Sequence, residues 1–154
     1  MRILVFSDSH GDTSKMHEVI QKEDFDMIMH LGDCYDDMEE LKTCYDIPVL
    51  GVVGNVDYIS DGPSIEFFQH EDIKIMLTHG HRYHVKNHLS HLRLAGKERQ
   101  AHVVLFGHTH EAFIEEDDII LMNPGSISRP RNDGPSYGIL ELHKNKINGK
   151  IVFI

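Results

Sequence analysis

In the first 57 residues, short apolar runs alternate with amphipathic stretches, and every apolar run stops in a polar cluster. Ile3–Phe6 is rich in strand formers and reads as a central strand buried on both faces. It gives way to Ser7-Asp8-Ser9-His10-Gly11-Asp12, after which Asp12 or Thr13 can cap a helix with Met16, Val19 and Ile20 on one face. Phe25–His30 is a second strand running into Leu31-Gly32-Asp33, and Met38, Leu41 and Tyr45 mark a second helix. Pro48–Val53 is a third strand, entering Gly54-Asn55-Val56-Asp57. Strand, helix, strand, helix, strand implies a parallel sheet with right-handed crossovers. Ligands of such sheets sit beyond the carboxyl ends of the strands, where all three polar clusters fall.

The rest of the chain changes character. Ser64–His70 and Ile73–Thr78 form an expected hairpin around Glu71-Asp72 and lead to His79-Gly80-His81. Val85, Leu89 and Leu92 then suggest a third amphipathic helix ending near Gly96. Ala101–Leu105 is a strand that runs into Phe106-Gly107-His108-Thr109-His110, with Gly107 freeing a tight turn. Residues at i and i+2 of an extended segment face the same side, so His108 and His110 project together. Ala112–Glu116 and Ile119–Met122 make another hairpin, Asn123 to Pro135 reads as loop, and Ser136–Leu142 and Lys146–Ile154 close the chain as strands. The expectation is one α/β domain over 1–154, with two packed sheets and helices on the outside.

A formal charge of −10 argues against general binding of long nucleic acid, which needs Lys and Arg to neutralise phosphates. Cys34 and Cys44 make no disulfide framework and read as reduced thiols. Met1–Phe6 is too short for a signal segment or a membrane span, and no later run is long enough. A cytoplasmic protein without a membrane partner is expected, and a homo-oligomer is left open.

Thirteen histidines are the compositional oddity, and several stand at strand ends beside Asp and Asn. Asp8, His10, Asp33, Asn55, His79, His108 and His110 offer oxygen and imidazole donors without a thiolate, a set suited to manganese, iron, zinc, nickel or cobalt rather than calcium. Six or more donors are too many for one small ion with an open position and suit two ions sharing a carboxylate. Such a pair clamps an in-line displacement at phosphorus and activates water, so metal-assisted hydrolysis of a phosphate ester is the implied reaction class.

The ordered motifs Asp-x-His, Gly-Asp, Gly-Asn-x-Asp, His-Gly-His and Gly-His-x-His resemble those of the calcineurin-like metallophosphoesterases. They look most like the small single-domain bacterial and archaeal phosphodiesterases, and Asn123-Pro124-Gly125-Ser126 with Ser128-Arg129-Pro130-Arg131 is similar to that group's late loop. The resemblance runs from Asp8 to Arg131. It implies an αββα sandwich and two divalent ions, manganese first. One ion would sit on Asp8, His10 and His110, the other on Asn55, His79 and His108, with Asp33 bridging. The implied nucleophile is a metal-bridging hydroxide, and the implied substrate a small phosphate ester.

One departure stands out. Many phosphatases of the superfamily carry a histidine within the Gly-Asn motif as a proposed general acid; here the position is Val56. Losing such help forfeits about 10²–10⁴-fold in rate. The small phosphodiesterases resembled often lack that histidine too, so esters with good leaving groups, or another acid, are expected: His81 is the candidate acid or substrate contact, with Asp57 as the weaker choice because it also suits orienting the loop.

Blander readings accompany these. Taken singly, Asp8 is a turn former, Asp33 a helix cap and His79 a surface histidine. His84, His88 and His91 at i, i+4, i+7 suit either a metal patch or a solvated helix face. Arg129 and Arg131 suit phosphate recognition or plain solvent exposure. Cys34 suits either oxidation sensitivity or packing on the second helix. The alternative function is a non-catalytic protein-interaction scaffold on the same fold.

Overall fold

Apolar positions on both faces of the short strands find partners in the computed structural model, which describes residues 1–154. In chain order the elements begin with β1 (Arg2–Phe6), α1 (Ser14–Ile20), β2 (Met27–His30), α2 (Tyr35–Cys44), β3 (Val49–Gly51), β4 (Ile65–His70) and β5 (Ile73–Thr78). A 3₁₀ turn over His81–Tyr83 follows, then α3 (Ser90–Glu98), β6 (Val103–Leu105), β7 (Ala112–Glu116), β8 (Ile120–Pro124), β9 (Ser136–His143) and β10 (Lys146–Phe153). One five-stranded sheet runs β10-β9-β1-β2-β3 and the other β4-β5-β6-β8-β7. β1, β2 and β3 are parallel, with Ile3 opposite Met27 and Phe6 opposite His30. β5, β6 and β8 are parallel in the second sheet, and the remaining pairings are antiparallel.

Alternation within each strand divides its side chains between two layers. Ile3, Val5, Met27 and Met29 face Ile75, Leu77, Val103 and Leu105 across the sheet-sheet interface. Leu4, Phe6 and Ile28 point the other way, under Met16, Val19 and Ile20 of α1 and Met38 and Leu41 of α2. Met76 and Val104 do the same beneath Leu92 and Ala95 of α3. Two mixed sheets with helices outside are the expected α/β architecture, and burial on both faces explains why the parallel strands read as unbroken apolar runs. No helix is long and apolar enough to cross a membrane.

The third helix differs from the expectation. Val85, Leu89 and Leu92 all pack into one cluster, but the helix begins only at Ser90. Gly80 at φ 99 and His84 at φ 55 are left-handed, which no α-helix tolerates, so the chain reaches Ser90 through the 3₁₀ turn. The spacing was set by packing rather than by helical turns. His84 and His88 therefore precede the helix and only His91 lies on it, although the His88 and His91 rings still meet edge to face at 4.6 Å. The parallel strands β2, β3 and β6 are shorter than expected, and β8 runs on through Asn123 and Pro124.

Leu140 on β9 is fully buried between the sheets, away from the strand ends that carry the polar clusters. Leu140→Ala is expected to lower the unfolding free energy by about 2–5 kcal/mol, read by urea denaturation, without changing the number of metal ions the protein takes up.

Candidate metal centre

The carboxyl ends of five parallel strands deliver the polar clusters to one edge of the sandwich. Asp8 and His10 follow β1, Asp33 follows β2, Asn55 follows β3, His79 follows β5, and His108 and His110 follow β6. Backbone hydrogen bonds join these loops: Asp8 N–H donates to the Gly32 carbonyl (3.0 Å), His10 N–H to that of Asp33 (2.8 Å), and Gly107 N–H to that of His79 (3.1 Å). Gly32 lies directly on Gly54, where a Cβ would meet the Gly54 nitrogen at 2.6 Å. Without that approach Asp33 and Asn55 could not reach the same point.

Five of the seven expected ligands have left-handed backbones: Asp8 (φ 55), His10 (φ 48), Asp33 (φ 50), His108 (φ 70) and His110 (φ 62). Non-glycine residues enter this region at a cost, and such strain gathers where function needs side chains aimed off the regular path. Here it turns each side chain back over the strand ends.

Asp8, His10, Asp33 and His110 bring one ligand atom each within 4.8 Å of one another, and Asp33, His79 and His108 do the same. Asp33 belongs to both groups. His10 Nε2 and His110 Nε2 are 3.2 Å apart, His110 Nε2 is 3.2 Å from Asp8 Oδ1, and His79 Nε2 is 3.3 Å from Asp33 Oδ2 and 3.1 Å from Asn55 Oδ1. Donors about 2.1 Å from a common ion are separated by about 3.0–3.4 Å at octahedral or tetrahedral angles. These separations match.

The outer ring nitrogens explain why the inner ones want a cation. His79 Nδ1–H donates to the Leu31 carbonyl (2.7 Å) and His110 Nδ1–H to that of Arg129 (2.6 Å). In the neutral tautomer each Nε2 is then a bare acceptor, pointed at carboxylate and amide oxygens that also only accept. Asp8 Oδ1 is buried without a hydrogen-bond donor. A proton or a metal ion must reconcile such a cluster, and hydrogen bonds at the far nitrogen are how metal-ligating histidines are oriented.

Electrostatics agree. Burial disfavours charge on His79, but Asp33 and Asp8 outweigh it and raise its pKa; the bond to Asp8, working against burial, does the same for His110. Burial would raise Asp33, yet His79 and the Val56 amide hold it down to about 2. Asp8 is lowered by His110 and His79 against its own burial. Burial and the charge of His79 push His108 down to about 4, and they lower His81 as well. Protons thus concentrate on two of the imidazoles, at the carboxylates.

His81 stands beside the second group, its ring centroid 5.4 Å from that of His79 and 6.0 Å from that of His108, with Nδ1 buried and unpartnered. Arg129 and Arg131 are exposed. Cys34 precedes the first turn of α2, where burial and Asp37 raise its thiol pKa.

Asp57 takes the loop-orienting role that its place in the Gly-Asn-x-Asp motif allowed, while the other supporting residues were not legible as such. Asp57 accepts the backbone N–H groups of Asp33 (3.1 Å), Tyr35 (2.9 Å) and Gly54 (2.6 Å), which makes it the brace of two loops and of the start of α2. Ser7 Oγ–H and His108 N–H donate to Asp8 Oδ2, at 2.5 and 3.1 Å. Ser126 and Ser128 hydroxyls donate to the Asp8 carbonyl. Fully buried His30 accepts Gly32 N–H on Nδ1 (3.3 Å), which leaves Nε2–H to donate to Ser9 Oγ (2.9 Å); burial holds its pKa down to about 4. A histidine closing an otherwise apolar strand was the one available signal for the last of these.

Comparison with known proteins points the same way. The family model for the calcineurin-like phosphoesterase superfamily domain matches residues 1–145. A probable metallophosphoesterase of Methanothermobacter thermautotrophicus is 35% identical over 161 residues, spanning 99% of this chain and 92% of its own. A phosphodiesterase of Methanocaldococcus jannaschii is 29% identical over 172 residues, spanning 95% and 96%. Among solved structures, a conserved Streptococcus pneumoniae protein described as a predicted phosphoesterase superposes with a TM-score of 0.84 at 28% identity, over 99% of this chain and 88% of that one.

Removing the Asp57 carboxylate strands three amides. Asp57→Ala is expected to cost about 1.5–3 kcal/mol in thermal or urea unfolding and to speed hydrogen exchange at Tyr35 and Gly54, whereas Asp57→Asn retains part of both.

Proposed function

The chain belongs to the calcineurin-like phosphoesterase superfamily, and we propose that it is a phosphodiesterase that works with two divalent ions on a small phosphate ester. One observation carries the reading: two groups of donors share Asp33 and meet at ligand-to-ligand spacing. We assign Asp8, His10 and His110 to one ion, Asn55, His79 and His108 to the other, and Asp33 to both. Manganese is the first choice, with nickel, iron, zinc and cobalt behind it. When bound, two such ions supply an activated water and neutralise charge that builds on the phosphoryl oxygens. A relative named as a phosphodiesterase supports diesters over monoesters. The scaffold alternative lacks comparable support, since a competent donor stands at each of the seven positions.

The chain's own residues have separable tasks. Arg129 holds the His110 ring through its carbonyl, and Leu31 holds that of His79, so both Nε2 atoms keep their aim. Val56 donates its amide to Asp33 Oδ1 (3.1 Å), orienting the shared carboxylate through its backbone. His81 is assigned as a contact to the phosphoryl group. Its lowered pKa makes it a neutral imidazole near pH 7, better suited to hydrogen bonding than to delivering a proton to a poor leaving group.

Metal-supplemented protein is expected to hydrolyse an activated aryl phosphodiester. Asp33→Asn and His108→Ala are expected to drop that rate to background, and His81→Ala to lower kcat/KM by about a hundred- to a thousandfold with two ions still bound. Absence of turnover across the five metals removes the proposal.

Binding of ions should also displace protons. His79 and His110 have pKa values raised above 6.5, so at pH 6.5 each is more than half protonated and must release that proton to accept an ion. Calorimetry in buffers of differing ionisation enthalpy is expected to read proton release that shrinks as pH rises through the raised values. Their favourable pairing with Asp8 and Asp33 likewise stabilises the metal-free protein below pH 6.5 and is lost over that same rise.

A further inference from the structure

Three of the protein's seven exposed large hydrophobic residues fall within four consecutive positions: Val56 (41% exposed), Tyr58 (86%) and Ile59 (99%). The others are Phe67, Leu94 and the C-terminal Phe153 and Ile154. Single exposed apolar side chains need no explanation, but a cluster held against water on one loop does. This loop begins one residue after the metal-centre residue Asn55.

The cluster forms one wall of a cleft of about 500 Å³, shared with His10 of the first donor group, Tyr35 and Arg129. The volume is that of a small-molecule site, and five of its eleven lining residues are hydrophobic, with two tyrosines on the same wall as Val56 and Ile59, beside a polar side made by His10, Asp36, Asp57, Ser60 and Arg129. Tyr35 is fixed: its backbone N–H is held by Asp57, and its ring lies so close to Gly62 that a Cβ there would meet the ring at 2.6 Å. Arg129 is the only Lys or Arg on the lining, opposed by the exposed Asp36, while Asp57 is committed to backbone amides. One arginine against Asp36 and Asp57 leaves no surplus positive charge in the cleft, which disfavours a polyphosphate tail and leaves the phosphodiester charge to the metal centre.

We propose that this cleft is the subsite for the organic part of the substrate, and that this part is a planar aromatic or heteroaromatic group seated on Tyr58, Ile59 and Tyr35. The phosphodiester joined to it lies toward His10 and the metal centre. The inference rests on the phosphodiesterase reading and deepens it. Two tyrosines beside aliphatic side chains favour a flat ring over a flexible alkyl group, because stacking rewards planar surface and freezes few torsions.

The test uses methyl 4-nitrophenyl phosphate as the assay substrate and two competing diesters, thymidine 5′-methyl phosphate and dimethyl phosphate. The wild-type, metal-loaded protein is expected to bind the thymidine diester about tenfold or more tightly than dimethyl phosphate, read as inhibition constants. In Tyr58→Ala/Ile59→Ser the two constants are expected to converge within about twofold. In metal-free protein, saturation-transfer NMR is expected to show contact at the thymine protons that the double variant loses. Turnover of the assay substrate with equal inhibition constants in the wild type, or with the preference intact in the variant, overturns the subsite alone. No turnover on the assay substrate with any metal overturns the phosphodiesterase reading and the inference with it. A dimer that the double variant converts to monomer also overturns the subsite, because a second copy would then cover the loop.

Discussion

Asp33 is the residue on which the rest of this structure turns. Its Oδ2 faces His79 Nε2 at 3.3 Å and His10 Nε2 at 3.8 Å, one from each donor group, while its Oδ1 accepts the Val56 amide. Its own N–H is held by Asp57 and its carbonyl by His10 N–H. Five contacts from four residues thus fix one buried carboxylate in a left-handed backbone. A negative charge is expensive to bury without opposite charge nearby, and the pKa held down to about 2 says that this one keeps its charge. The geometry around it makes sense as a receptacle for cations.

Holding such a cluster costs stability, and the sandwich supplies it. Five left-handed donor residues are unfavourable in isolation, and so are the acceptor-to-acceptor contacts left once His79 and His110 give up their protons. They are carried by strands whose side chains are buried on both faces in three apolar clusters. The loops are also locked from outside the ligand set, by Asp57, His30, Ser7, Ser126 and Ser128. Aim is therefore imposed by rigid surroundings rather than chosen by the ligands, as preorganised catalytic sites require.

Around that polar floor the chain places a contrasting rim. The loop after Asn55 carries no charged side chain until Asp57, whose carboxylate turns inward, and then exposes Tyr58 and Ile59. Val56 joins the two regions: its amide serves Asp33, and its side chain belongs to the apolar wall. The absence of a histidine at that position is thus more than a missing proton donor, since it extends an apolar surface to the edge of the metal centre.

The alternation of apolar runs and polar loops was enough to read the α/β order and the pairing of a parallel sheet with two later hairpins, and it put seven candidate donors at strand ends, because strand burial and ligand chemistry both leave marks in residue type. Periodicity alone misread 85–89, where Val85 and Leu89 stand at helical spacing to Leu92 but pack from the irregular segment after a left-handed His84, and backbone handedness at a non-glycine residue has no composition signal. Asp57 read either as a weak acid candidate or as a loop-orienting residue, and its contacts make it the latter, since the fold brings the amides of Asp33 and Tyr35 to it across more than twenty residues. Which histidine shares a group with which carboxylate was likewise a tertiary matter: Asp8 and His110 meet at 3.2 Å although 102 positions separate them in the chain. The sequence by itself determined what the donors are and at which strand ends they stand. Only the packing of two sheets at one edge decided where their lone pairs converge.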